Sequence, residues 1–150
     1  MVIPLRNQAK DEHREAAALR YSAVWDTQGP SLADTRQAVR TLLSRAGHPP
    51  DQQPSQDAQI VVSELVTNAL RHAPGPGELL LELTGNPALL RITVRDTSRT
   101  PPRPAARTPD RIGGHGLHLI ARLCDRLHTV LGDQGKHVIA ELRLHKAPAP

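Results

Sequence analysis

Glu64, Asn68 and His72 recur at four-residue intervals, so in a helix they stand on one face. Ile60, Val61, Leu65, Ala69 and Ala73 form an apolar stripe beside them. A carboxylate one turn from a carboxamide, both bordering an apolar face, is a poor way to build a core. It is a good way to hold a hydrated divalent cation and aim a base. Asn offers the neutral oxygen that Mg²⁺ accepts beside phosphate oxygens. Glu can take a proton from an attacking hydroxyl or water. Taken alone, Glu64 reads as an ordinary surface charge, and His72 reads equally well as a histidine bonded to backbone.

Two further segments change that balance. In Leu90–Asp96, Leu90, Ile92 and Val94 alternate with polar residues, and Asp96 continues their parity toward the buried side. A carboxylate there is costly unless something donates to it. Gly113-Gly114-His115-Gly116 opens an amphipathic run in which Leu117, Ile120, Ala121 and Cys124 share a helical face. Glycine-rich backbone entering a helix N-terminus is an anion site, because free N–H groups and the helix dipole face the ligand.

The order Glu-x-x-x-Asn, strand-end Asp and Gly-Gly-His-Gly-Leu resembles the Bergerat-fold (GHKL) ATP-binding domains. It is most similar to the stand-alone anti-sigma-factor serine/threonine kinases of actinobacterial type. The likeness runs from about residue 20 to 144 and places Glu64 and Asn68 in the N box, Asp96 in the G1 box and Gly113–Leu117 in the G2 box. The resemblance implies that Asp96 accepts a hydrogen bond from the exocyclic amine of adenine. It implies that Asn68 ligates Mg²⁺, Glu64 is the general base for a protein hydroxyl, and Arg71 and His72 touch phosphate or metal-bound water. Gly113, Gly114, His115, Gly116 and Leu117 form the phosphate-side turn. Ser98 lies by the adenine pocket where the family's first glycine is expected, and His137 stands where a threonine often follows the last glycine. The long loop Arg99–Ile112, with Pro101, Pro102, Pro104 and Pro109, resembles the family's ATP lid.

The elements that must position these groups follow from pattern. Leu19, Tyr21, Ala23 and Trp25 alternate with Arg20 and Ser22, a first strand. Ser31 caps a helix with Asp34 at the capping-box position, Val39, Leu42, Leu43 and Ala46 form its apolar face, and Gly47 with Pro49-Pro50 ends it. A second helix runs from about Pro54 to Pro74-Gly75, followed by strands at 78–84 and 88–96. A third helix is expected at about 116–126, then strands at 127–131 and 136–145. Elements and resemblance together imply an α+β fold. It is a two-layer sandwich whose mixed, mostly antiparallel sheet is covered by helices on one face. The domain is expected at 18–145, between a flexible segment 1–17 and a disordered tail 146–150.

Composition removes several alternatives. The chain has 150 residues, one Cys, one Trp, one Tyr and no Phe. That is one domain with a Leu, Val, Ile and Ala core, no disulfide framework and no thiolate metal cluster. His115 and His118 lack the carboxylate or cysteine partners of a metal site. The net charge of +4 resides partly in Arg99, Arg103, Arg107 and Arg111 of the loop, with no recognition helix and no aromatic ladder, so direct nucleic-acid binding is not expected. Neither a secretory leader nor a run of the ~20 apolar residues of a membrane span is visible, which makes a cytoplasmic protein the default.

Read this way, the chain is expected to be an ATP-dependent protein kinase with Mg²⁺ that phosphorylates an anti-anti-sigma partner and, in the other state, holds a sigma factor. The family also implies a homodimer. The alternative is a non-catalytic ATP-binding module that uses nucleotide to set its conformation. A histidine-kinase catalytic domain is a further rival, with His13 in Asp11–Glu15. However, only about 18 residues precede the first strand, too few for a phosphoacceptor hairpin.

Overall fold

The computed structural model describes residues 19–85, 88–98 and 114–144, without the side chains of 114–117. The expected leading segment, tail and loop 99–112 lie outside the described residues. So do Gly113 and the second half of the Gly85-Asn86 turn.

Among the described residues, eight elements follow in order: β1 (Leu19–Trp25), α1 (Leu32–Arg45), α2 (Gln53–His72), β2 (Gly77–Thr84), β3 (Leu89–Asp96), α3 (Gly114–Leu123), β4 (Arg126–Gly132) and β5 (Gly135–Arg143). The expected elements are all present. The third helix begins two residues earlier than expected and stops at Leu123, because Cys124 and Asp125 turn the chain into β4. The Asp125 N–H donates to the Glu141 carbonyl at 2.9 Å, and its carboxylate accepts from the Arg143 N–H.

The sheet order is β1-β2-β3-β5-β4, and every pairing is antiparallel. The expected mixed sheet is therefore fully antiparallel. The crossover through α3 leaves β3 and β4 running the same way one position apart. β5 then turns back into the gap, so no parallel pair forms among the described residues. Leu79, Leu81 and Leu83 align with Val94, Ile92 and Leu90, and those with Val138, Ala140 and Leu142. All nine are buried on the face that α2 covers. Alternation at period two is what puts them on a single face.

The other face carries charge. The register sets Arg20, Glu82, Arg91, Glu141 and Arg126 in one row, alternating in sign. Arg20–Glu82 and Arg91–Glu141 close at 3.2 and 2.8 Å. Opposite charges as cross-strand neighbours suit a solvated sheet face.

Local signals act as expected at the helix ends. The Ser31 hydroxyl accepts from the Asp34 N–H at 3.0 Å. Gly47, at φ +89°, turns the chain out of α1. Pro54 sits in the first turn of α2, where its missing N–H costs no helical bond. Val39, Leu42 and Leu43 are buried, whereas Ala46 is exposed at the helix end. On α2 the buried set is wider than the expected stripe. Its apolar members are Ala58, Val61, Val62, Leu65, Val66 and Ala69, joined by buried Ser55, Asp57 and Ser63, with Ile60 left 38% exposed. α2 packs on α1 as well as on the sheet, so it buries two adjoining faces. Polar stitches tie the helices together: Arg40 Nη1 donates to Gln59 Oε1 at 2.8 Å, and Arg36 Nη1 to Ser63 Oγ at 3.4 Å.

Candidate active site

α2 is the spine of the site. It has 20 residues, about 30 Å of helix. Its C-terminal end leads through Pro74-Gly75-Pro76 into β2, whose Glu78 pairs with Arg95 of β3. The last turns of α2 therefore lie toward the same end of the sheet as Asp96. Glu64 and Asn68 are half-buried at the border of the core-facing stripe. Arg71 and His72 are exposed, so the expected row of three ends with a solvent-facing histidine. The α2 border thus holds a carboxylate and a carboxamide one turn apart, with a cationic residue at its end.

Asp96 is 4% exposed on the helix-covered face, as its parity demands. Its donors are now identified. Lys136 Nζ donates to Oδ1 at 2.9 Å, and the Ser98 N–H donates to the same oxygen at 2.9 Å. The second of these gives Ser98 a concrete role as a backbone brace two residues after the carboxylate. Lys136 is 5% exposed and is the cross-strand partner of Asp96. A buried carboxylate is tolerated when paired and hydrogen-bonded.

The position of Lys136 depends on the β4–β5 turn. Gly135, at φ +151°, lies against the Asp96 carbonyl so closely that a Cβ there would collide with it. Only glycine lets the two backbones approach and brings Lys136 level with Asp96. At the neighbouring position in β2, Gly77 leaves room for the Trp25 indole, which would lie 2.5 Å from an added Cβ. One end of the sheet is thus built from Trp25, Gly77, Asp96 and Lys136 side by side. A cavity of about 390 Å³ abuts the same strand ends, lined by Pro76, Arg95, Asp96, Thr97, Val130, Gly132, Gln134, Gly135 and His137. Among the described residues, its lining includes none from α2 or α3.

Gly114, His115, Gly116 and Leu117 form the first turn of α3, inside the helix rather than ahead of it. α3 packs against α2 through a face that includes fully buried Ile120. Ala121, expected on that face, is exposed. The N-terminal N–H groups of a helix this long are an anion-binding feature, whatever their side chains. Among the described residues, no group of three or more His, Cys, Asp or Glu could hold a metal ion.

A family model for the histidine kinase-like ATPase domain matches residues 24–142. The chain belongs to this family. The match takes in α2, β3, α3 and all of β5 but Arg143, so every element of the candidate site lies within the ATPase domain, and that domain implies ATP binding. No curated protein matches the chain. Among solved structures, it is similar to the histidine kinase domain of the blue-light-activated histidine kinase EL346 from Erythrobacter litoralis. The identity is 23%, with 75% of this chain and 59% of that chain covered and a TM-score of 0.48. The ATPase domain thus spans less than two thirds of that chain. Among the described residues, no helix of the ATPase domain is long and apolar enough to cross a membrane.

Lys136 is the site residue that sequence reasoning missed. The signal was present: position 136 has the same parity as Val138, Ala140 and Leu142, so a lysine there points inward. It is the counterpart of the inward Asp96.

Proposed function

We propose that this ATPase domain is an Mg²⁺·ATP-dependent serine/threonine protein kinase of the anti-sigma-factor type. It would act in the cytoplasm, alone or as a homodimer, on an anti-anti-sigma protein, and bind a sigma factor in the alternative state. The observation that carries this reading is the pair Glu64 and Asn68, half-buried one turn apart on α2 toward the Asp96 end of the sheet. ATP supplies the phosphoryl group when bound.

The chain's own residues do the rest. Asp96, braced by the Ser98 N–H, accepts a hydrogen bond from the adenine amine. Asn68 would hold Mg²⁺ through its side-chain oxygen. The first turn of α3 presents N–H groups to phosphate, with Gly114 and Gly116 allowing close backbone approach and His115 and Leu117 completing the turn. Arg71 and His72, exposed at the end of α2, meet phosphate or metal-bound water. Glu64 takes the proton of the attacking hydroxyl, a contribution of about 10²–10⁴ in rate for a positioned base.

The second reading is a non-catalytic ATP-binding module that binds protein partners without phosphotransfer. Both readings use the same Asp96 site and differ only in whether Glu64 acts as a base. Incubation with Mg·ATP and an anti-anti-sigma substrate, followed by mass spectrometry, separates the readings. An acid-stable phosphoserine or phosphothreonine that disappears with Glu64→Gln supports the kinase. An acid-labile phosphoramidate points to histidine-kinase chemistry, and ATP binding with no phosphorylated protein points to the module.

A further inference from the structure

We infer that Lys136 is a base-specificity residue of the nucleotide site: its ammonium turns the Asp96 carboxylate into an acceptor–donor pair that matches adenine and rejects guanine. The inference rests on the reading of this site as an ATP site. It begins with an oddity of a carboxylate as an adenine reader. Ionised Asp only accepts hydrogen bonds. Guanine offers two adjacent donors on its Watson–Crick edge, N1–H and N2–H₂, which suit a lone carboxylate. Adenine offers one donor, N6–H₂, beside one acceptor, N1. An acceptor-only group therefore does not by itself prefer adenine.

Lys136 supplies the missing polarity. Its Nζ lies 2.9 Å from Asp96 Oδ1, and the two residues are cross-strand neighbours on the helix-covered face. The pair is 5% and 4% exposed, so its geometry is held by the surrounding core. An ammonium has three donors and the Asp96 bond uses one. A carboxylate has about four acceptor sites, of which Lys136 and the Ser98 N–H use two. Capacity remains on both sides for one base edge. The Asp96 carboxylate accepts from N6–H, and Lys136 donates to N1. Guanine in the same pose sets O6 against the carboxylate and N1–H against the ammonium, so both contacts become repulsive.

The backbone shows why this residue can act there. Gly135 lies against the Asp96 carbonyl, which brings β5 close enough to β3 for Lys136 to sit level with Asp96. The Ser98 N–H donates to the same Asp96 oxygen as Lys136, so that oxygen is held by two donors while Oδ2 is left to face the base.

The test is calorimetric binding of Mg·ATP, Mg·GTP and the triphosphate of 1-deazaadenosine, which lacks only the N1 acceptor. Wild type is compared with Lys136→Met and Lys136→Gln. Wild type should bind ATP about tenfold or more tighter than the 1-deaza analogue, the cost of one charge-assisted hydrogen bond. In Lys136→Met that difference should vanish and the preference for ATP over GTP should fall. Lys136→Gln keeps a neutral donor and should fall between; it also serves if the Met variant does not fold, as checked by circular dichroism. If wild type binds ATP and its 1-deaza analogue equally, Lys136 does not read N1 and the inference fails while the ATP site stands. Unchanged ATP preference in both folded variants overturns it as well. If wild type binds none of the three nucleotides, the ATP-site reading itself fails, and this inference with it.

Discussion

Asp96 and Lys136 face each other across β3 and β5 and share a 2.9 Å ion pair with almost no access to solvent. Removing one partner of such a pair leaves an uncompensated charge in the interior. That typically costs about 3–5 kcal/mol, whereas replacing both by apolar groups is much milder. Lys136→Ala should therefore lower unfolding stability in urea by about that amount. The double variant Asp96→Leu/Lys136→Met should recover most of it. Equal losses in the single and double variants would mean that the two charges are not coupled.

Gly135 should tolerate no side chain. Its φ of +151° and its contact with the Asp96 carbonyl both oppose a Cβ. Gly135→Ala is expected to cost about 1–3 kcal/mol from backbone conformation alone, with more from the collision. It should also weaken ATP binding, because relief of the clash moves Asp96. Gly85→Ala is the control, since nothing lies within 4 Å of a Cβ there. Thermal melts and calorimetry on the two variants decide this.

Glu64→Gln should separate binding from chemistry. A base that acts only on the attacking hydroxyl leaves ATP affinity within about twofold while phosphotransfer falls about 10²–10⁴-fold. Asn68→Ala should weaken Mg·ATP binding itself. A Glu64→Gln chain with full phosphotransfer would remove that residue from the chemistry.

Cys124 should be unreactive in the folded protein. Burial, with the nearby Asp125 carboxylate adding to it, pushes its pKa from 9.0 up to about 12. The neutral thiol is thus favoured by the fold, while the unfolded chain ionises near 9.0. Its contribution to stability is full below pH 9 and declines as the pH rises toward 12. At pH 8, thiol labelling should be slow in buffer and fast in urea. Fast labelling without denaturant would show that the turn after α3 is open.

Much of the architecture was legible in the chain itself. Alternation in β3 and β5 determined which residues turn inward, including Asp96, because a strand's side chains can point only two ways. In β2, Leu79, Leu80 and Leu81 are all apolar, and only the register decided which of them face the core. Ser31, Gly47 and Pro54 marked helix ends through local backbone chemistry that needs no tertiary partner. Spacing alone placed Glu64 and Asn68 on one helical face. Errors fell where packing, not local pattern, rules. Ala46 and Ala121 match an apolar period but are exposed, since a small side chain at a helix edge loses little in water. Val62 and Val66 lay outside the expected stripe, yet are buried because α1 covers a second face of α2.

The sequence by itself determined that an inward carboxylate closes β3 and needs a donor, because burial of an unpaired charge is costly at any position in any fold. Only the tertiary structure decided which donor. Lys136 is 40 residues away along the chain. Strand order and register, which are non-local, set β5 beside β3 and made the two residues neighbours.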